Sequence, residues 1–353
     1  MVDTQSVLEV LKPVQDPELQ KSLVELNMIR NVKVEGGDVS FTLVLTTPSC
    51  PLREFIVEDC EKAVKTLSGV EKVSVEVTAE TPSQKPLPDR TSVDKVKNII
   101  AISSGKGGVG KSTVAVNVAI ALAQAGSKVG LLDADIYGPN APTMLGLVNA
   151  PINVTKSPAG DILEPLFNHG IKMVSMGFLI DPDQPVMWRG PMLNGIIRQF
   201  LYQVNWGELD YLIVDMPPGT GDAQLTLAQA VPLAGAVIVT TPQTVSLQDA
   251  RRGLKMFEQL GTNILGIVEN MSYFIPPDME NRSYDIFGSG GGEKASKELQ
   301  VPLLGCIPIE MSVREGGDNG IPVTVAHPES ESAKALVKIS QQIAAKVSIM
   351  ALA

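Results

Sequence analysis

The chain has 353 residues, 44% of them apolar and 19% charged, with a formal net charge of −10 and a sequence pI near 4.9. That length exceeds one ordinary core and the composition is that of a folded globular protein, so two domains are expected and disorder is excluded. An acidic chain without a basic run is poorly suited to neutralising phosphate backbones, so no nucleic-acid partner is expected.

Met1 to Glu9 lacks the basic start and apolar core of a signal peptide. No apolar stretch reads as long enough to span a bilayer. A soluble, cytoplasmic chain without membrane insertion is therefore expected. Residues 1–80 read as a small α/β domain. Val7, Leu8, Val10 and Leu11 suggest a short helix, and Met28–Val34 and Val39–Thr46 alternate around Gly36-Gly37 as a hairpin. Leu52–Leu67 has helical spacing, and Val73–Val77 alternates as a last strand. Residues 81–95, with Pro82, Pro86 and Pro88, form a semi-rigid linker.

From residue 96 to 353 the pattern changes. Short apolar runs at Ile99–Ile102, Val129–Leu132, Tyr211–Val214, Ala236–Val239, Ile264–Val268 and Leu303–Ile309 alternate with helical stretches. This predicts an α/β fold with a mostly parallel, doubly wound sheet covered on both faces. Ligands of such sheets sit at the carboxyl ends of the strands.

The first of these strands leads into Gly105-Lys106-Gly107-Gly108-Val109-Gly110-Lys111-Ser112-Thr113, and a helix follows from Lys111 to Ala125. This is a P-loop for ATP in its required context of strand, glycine-rich loop and helix. Glycines let backbone N–H groups turn inward around phosphate oxygens, and the helix N-terminus favours negative charge. Lys111 is expected on the β- and γ-phosphates, and the Ser112 hydroxyl on Mg²⁺. Lys106 is a second lysine that an ordinary P-loop does not need. It is either a solvated surface residue or a second cation for phosphates, supplied to a neighbouring subunit as an arginine finger is.

Asp133 and Asp135 end the next strand two residues apart, on one side of an extended backbone. Asp135 is the candidate to orient the attacking water, with a loop-capping role as the alternative. Tyr211-Leu212-Ile213-Val214-Asp215 is a Walker B pattern, with Asp215 expected on Mg²⁺. In Met216-Pro217-Pro218-Gly219-Thr220-Gly221-Asp222, Gly219 can place its N–H on the γ-phosphate and move when that phosphate leaves. Asn270 either reads adenine with its side-chain amide or ends a turn.

The P-loop segment resembles the deviant Walker A of the MinD/ParA/nitrogenase-iron-protein class. Leu132–Asn140, Trp188-Arg189-Gly190-Pro191, Asp215–Asp222, Glu269–Phe274 and Ile286-Phe287-Gly288 narrow the resemblance to the Mrp/ApbC family of iron–sulfur cluster carrier ATPases, over about residues 96–345. Residues 1–80, through Asp16-Pro17-Glu18-Leu19 and Pro48-Ser49-Cys50-Pro51, resemble the metal–sulfur cluster assembly domain often fused in front of that family. The resemblance implies slow ATP hydrolysis, a homodimer, exchange with cluster scaffold proteins, and transfer of a [4Fe-4S] cluster to apo client proteins. The alternatives are a ParA/MinD-type positioning ATPase and an ATP-dependent assembly adaptor that binds no cluster.

Most family members carry Cys-x-x-Cys just after the Asn-Met-Ser segment. Here the place reads Phe274-Ile275-Pro276-Pro277-Asp278-Met279, without cysteine; the carriers of chloroplasts and cyanobacteria also lack that pair, and this chain resembles them more closely. Three cysteines remain, and so few suit a reducing compartment and no disulfide framework. Cys50, before Pro51 and an expected helix start, is the best remaining iron–sulfur ligand, with a lowered thiol pKa expected from the helix N-terminus. The alternative is a buried small residue. Cys306 is a weaker candidate in an apolar strand, and Cys60 reads as core.

Overall fold

A computed structural model describes the chain except residues 1, 85–90, 137, 149, 158–159, 179–189, 277, 279–281 and 353. It forms two compact units, Met1–Pro82 with Ala344–Ala353, and Ser83–Ile343. Trp188 and Arg189, part of the linker, and parts of the segment after Pro276 lie outside the described residues.

The first unit begins with α1 (Thr4–Leu11), whose N-cap Asp3 accepts from the Ser6 N–H in a capping box. Strands β1 (Ile29–Glu35) and β2 (Asp38–Leu45) form the expected hairpin. Gly36 turns it at φ 63°, a conformation glycine adopts at no steric cost. Helix α2 (Arg53–Val64) crosses over to β3 (Lys72–Ala79), which pairs parallel with β2. Val7, Leu11, Phe41, Leu43, Ile56 and Val64 close its core.

The C-terminal residues of this unit belong to the last helix of the chain, Glu331–Leu352. The division therefore differs from one placing all of 96–353 in a single domain: Ser348 donates its hydroxyl to the Thr46 carbonyl at 3.2 Å. This helix is also long and apolar enough, by length and composition, to cross a membrane, which the sequence reading did not expect. Its apolar window is 44% buried in the protein. Ala333, Leu336, Ile339 and Ile343 are buried at helical spacing, the pattern of a helix packed on a core.

The second unit is built on an eight-stranded sheet. Its strands in chain order are β4 (Val96–Ser104), β5 (Val129–Asp133), β6 (Leu166–Asn168), β7 (Ile171–Ser175), β8 (Leu209–Asp215), β9 (Gly235–Thr240), β10 (Ile264–Glu269) and β11 (Leu303–Cys306). The spatial order is β6-β7-β5-β8-β4-β9-β10-β11, parallel throughout except for β6 against β7. The doubly wound expectation holds. The apolar runs fill β4, β5, β8 and β9 with buried residues, as strands covered on both faces require.

Helix α3 (Lys111–Gln124) is buried on nearly every side. Its Ala- and Val-rich sequence lets it lie close against the sheet, and Gly126 at φ 100° ends it. Helices α4 (Gly190–Tyr202), α5 (Asp222–Ala230), α6 (Thr244–Gln259), α7 (Gly291–Leu299) and α8 (Met311–Asp318) complete the layers. Because the strands run parallel, Ser104, Asp133, Asp215, Thr240, Glu269 and Cys306 all finish at one edge of the sheet.

Candidate functional site

At that edge β4 hands over to the glycine loop, and Gly110 caps α3 at φ 83°. A Cβ on Gly105 would lie 2.1 Å from the backbone carbon of Asp249 on α6, and one on Gly110 would lie 2.1 Å from Nδ2 of Asn270. Gly105 is required by packing against helix backbone, and Gly110 by its left-handed φ together with the Asn270 amide held above it. Gly107 and Gly108 meet nothing within 4 Å and are exposed, so packing inside the protein does not require glycine there, and a loop of this kind can cradle an anion on its backbone amides.

Lys111 lies at the floor of this loop and is 6% exposed. Its ammonium donates to Asp215 Oδ1 at 2.6 Å and to Ser112 Oγ at 3.3 Å, and lies 3.5 Å from Asp135 Oδ2. Burial alone would lower its pKa, but Asp215 and Asp135 outweigh it and hold the ammonium above its ordinary range. Burial pushes the Asp215 carboxyl up, against the pull of Lys111 and the Ser112 hydroxyl. The second Asp215 oxygen, Oδ2, is buried without a hydrogen-bond partner.

Asp133 plays a different part from Asp135. It is fully buried, and burial and Asp215 push its carboxyl up to about 8. It accepts from the Ser175 hydroxyl at 2.8 Å, from Asp135 N at 3.2 Å and from Ala141 N at 3.3 Å. Asp133 thus ties β5 to β7 and sets the loop that carries Asp135.

Lys106 is half-exposed, makes no ion pair among the described residues, and its carbonyl accepts the Ser104 hydroxyl at 2.9 Å. The Gly219 N–H donates to the Ser104 carbonyl at 2.9 Å, with φ 94° and open space where a Cβ would be. Asn270 donates its side-chain amide to the Val109 carbonyl at 2.8 Å, so it grips the loop. It also lines a cavity of about 590 Å³ with Gly110, Thr113, Met271, Phe287, Pro308, Arg314 and Asp318. The far wall of that cavity, residues 308–318, carries no motif and is not legible in the sequence. Its only signal is the polar face of a short helix after the last strand.

The cysteines are far from equivalent. Cys60 is fully buried and burial raises its thiol to about 12, so it is core. Cys50 is half-buried just before Leu52, the N-cap of α2. The lowered pKa expected of it is not found. Burial raises the thiol, the Leu52 N–H pulls the other way, and the Glu18 and Asp16 carboxylates add to the rise. One backbone donor does not offset burial and two like charges. Asp16 itself holds the Asp-Pro-Glu-Leu turn by accepting from Glu18 N and Leu19 N, both at 2.9 Å.

Cys306 is half-buried at the end of β11, with burial raising its thiol while the Ser272 hydroxyl lowers it and Glu269 raises it further. Glu269 accepts from the Ser272 hydroxyl and from the Gly292 N–H at the start of α7. Among the described residues no three His, Cys, Asp or Glu side chains gather to hold a metal.

A family model described as the NUBPL iron-transfer P-loop NTPase matches residues 95–344, and one described as an iron–sulfur cluster assembly protein matches residues 4–77. Proteins named iron–sulfur cluster carrier protein are 80% identical in Synechocystis, over all of both chains, and 46% identical in Deinococcus radiodurans, over 98% of this chain and 96% of that one. The Escherichia coli protein of that name is 41% identical over 94% of this chain and 89% of its own.

The chain belongs to the iron–sulfur cluster carrier family of P-loop NTPases.

Among solved structures, a nucleotide-binding protein of Archaeoglobus fulgidus in complex with ADP is 40% identical, with a TM-score of 0.58, over 68% of this chain and 91% of that one. The cell-division ATPase MinD of Pyrococcus furiosus is 26% identical, with a TM-score of 0.50, over 70% of this chain and 98% of that one. Membership in this P-loop family gives the cradle its chemistry. A divalent cation fits the unpartnered, buried Asp215 Oδ2 beside the Ser112 hydroxyl. Two protein oxygens, with the rest of the shell from phosphate and water, is how Mg²⁺ is ordinarily held.

Proposed function

We propose that the chain is a slowly hydrolysing ATPase that works as a cytoplasmic homodimer and carries a [4Fe-4S] cluster from scaffold proteins to apo client proteins. The observation that carries the nucleotide half is the buried Lys111 ammonium between Asp215 and Asp135, with Asp215 Oδ2 left open. In this reading Lys111 and the loop amides of residues 105–113 hold the phosphates, and Ser112 and Asp215 hold Mg²⁺. That cation supplies charge neutralisation on the phosphates when bound. Asp135 orients the attacking water. Gly219 turns its N–H from Ser104 to the γ-phosphate, and Asn270 faces the base. Lys106, half-exposed and without an ion pair among the described residues, is the group that would reach the nucleotide of a second copy.

The cluster half rests on isolated thiols. Among the described residues one chain gathers no set of metal donors, whereas a [4Fe-4S] cluster is held by several thiolates. Pairing two chains doubles the donors, so dimerisation and cluster loading belong together. Cys50 is the first ligand and Cys306 the second candidate. Cys306 suits a nucleotide-timed role, because Glu269, Asn270 and Ser272 are near neighbours in sequence. Asn270 grips the P-loop while Glu269 and Ser272 flank the thiol.

Anaerobic reconstitution with iron and sulfide tests this, read by visible charge-transfer absorbance and by iron and sulfide per dimer. Wild-type chain is expected to take up a cluster. Cys50→Ser is expected to lose most of it, and Cys306→Ser to change its dependence on nucleotide. Full cluster in the Cys50→Ser chain overturns the ligand assignment. No cluster in wild type favours the adaptor reading instead.

A further inference from the structure

The segment that follows the Walker B strand is fastened to β4 at three successive residues. Met216 N donates to the Ile102 carbonyl at 3.0 Å and Gly219 N to the Ser104 carbonyl at 2.9 Å. Between them, Gln224 on α5 supplies the third link from a distance. Its Nε2 donates to the Ser103 hydroxyl at 2.7 Å and to the Pro217 carbonyl at 2.8 Å. Gln224 is 1% exposed, Ser103 is 0% exposed, and the helix around them buries Leu227 and Ala228. The Gln224 carbonyl oxygen, Oε1, is buried with no partner.

A buried amide with one end unpaired is disfavoured relative to a satisfied or apolar side chain. A leucine or methionine would fill the same space without that cost. The glutamine therefore makes sense through what its Nε2 does. It joins the backbone just before Pro218 to the strand that ends in the P-loop. Beyond that joint, Pro218 and Gly219 are half-exposed, Thr220 and Gly221 are exposed, and Gly219 has the positive φ of a permissive hinge. The fixed part stops at Pro217 and the free part starts after it.

We propose that Gln224 is a positioning residue for ATP hydrolysis, the anchor that holds Pro217 to Ser103 so that only Pro218–Gly221 moves when Gly219 exchanges Ser104 for phosphate. This rests on the hydrolytic reading given above. The anchor keeps the Gly219 N–H at a fixed distance from the P-loop, and hydrolysis needs that group within hydrogen-bond reach of the transferred phosphoryl. Without it the segment from Pro217 onward shares the motion, Met216 staying on the Ile102 carbonyl, and the aligned state is less populated. Binding of the nucleotide depends on the P-loop, which the anchor does not build.

The test is Gln224→Met, which keeps volume and removes the donor. Steady-state hydrolysis of Mg-ATP is expected to show kcat lowered about tenfold, the equivalent of one lost hydrogen bond. KM and the affinity for Mg-ADP should stay within about twofold of wild type, because binding is uncoupled from alignment. The melting temperature should fall by no more than a few degrees, since relief of the unpaired Oε1 partly offsets the partners lost by the Ser103 hydroxyl and the Pro217 carbonyl. Wild-type kcat in the folded variant overturns the proposal, as does a fall in kcat matched by equal losses of ADP affinity and stability. Should Gln224→Met fail to fold, Ser103→Ala removes the other end of the anchor and is expected to act in the same direction.

Wild-type chain with no measurable hydrolysis would sink the parent reading, while the anchor is still read by hydrogen exchange. The Gly219 amide should lose protection in Gln224→Met, and unchanged protection there counts against the anchor.

Discussion

Gly105→Ala is expected to abolish Mg-ATP binding and to lower the melting temperature, whereas Gly107→Ala is expected to abolish binding alone. The two glycines are two residues apart in one loop, yet they serve different masters. A Cβ on Gly105 would lie 2.1 Å from the Asp249 backbone carbon and 2.5 Å from the Ala250 nitrogen. No rotamer relieves a clash with helix backbone, so α6 or the loop must move. Overpacking of this kind costs about 3 kcal/mol, which for a unit of this size is roughly 6–12 °C. The displaced element is the loop itself, so the amides lose their common focus.

Gly107 has empty space on the side where its Cβ would point. Alanine there meets nothing in the protein and intrudes only on the bound phosphate. Thermal unfolding and Mg-ATP titration of both variants check the pair. Equal melting temperatures for the two would show that Gly105 is not held by α6.

The second large effect is expected for Asp215→Asn. The carboxylate has one oxygen 2.6 Å from Lys111 Nζ and the other buried without a partner. An amide keeps the shape but replaces one oxygen by a donor, which a cation repels. Lys111 retains Asp135 at 3.5 Å, so no buried charge is stranded and the fold should survive. ATP affinity should then become nearly independent of Mg²⁺, and hydrolysis should fall by about 100-fold or more, as for loss of a preorganised charge at the transferring phosphoryl. Titrations with ATP in the presence and absence of Mg²⁺ decide it. A variant that still responds to Mg²⁺ as wild type does would remove Asp215 from the cation site.

Much of this was legible in the sequence because parallel strands buried on both faces read as unbroken apolar runs, and because the chemistry sits where those runs stop. Ser104, Asp133, Asp215 and Glu269 are each the last residue of a strand. Other features, besides the cavity wall at residues 308–318, were not legible. Strands β6 and β7 escaped because Asn168, His169, Gly170 and Lys172 interrupt the apolar pattern at the sheet edge. His169 adopts φ 47° in the turn, a conformation that histidine visits more than most residues but that the sequence alone does not call for. The cysteine environment escaped because the charges around Cys50 come from Asp16 and Glu18, more than thirty residues earlier.

The role of Gln224 escaped for a similar reason. A lone polar residue in a helix reads as solvated until its partners, Ser103 and Pro217, are known. The apolar last helix was underrated because three lysines dilute it, although its buried face is continuous.

Calorimetric titration of Mg-ATP into wild-type chain and into Lys111→Ala tests the central claim most directly, since every role assigned here depends on a triphosphate seated on that loop. The account predicts saturable heat in wild type, one nucleotide per chain, and none in the variant. Equal heat in both chains, or none in wild type, would contradict it.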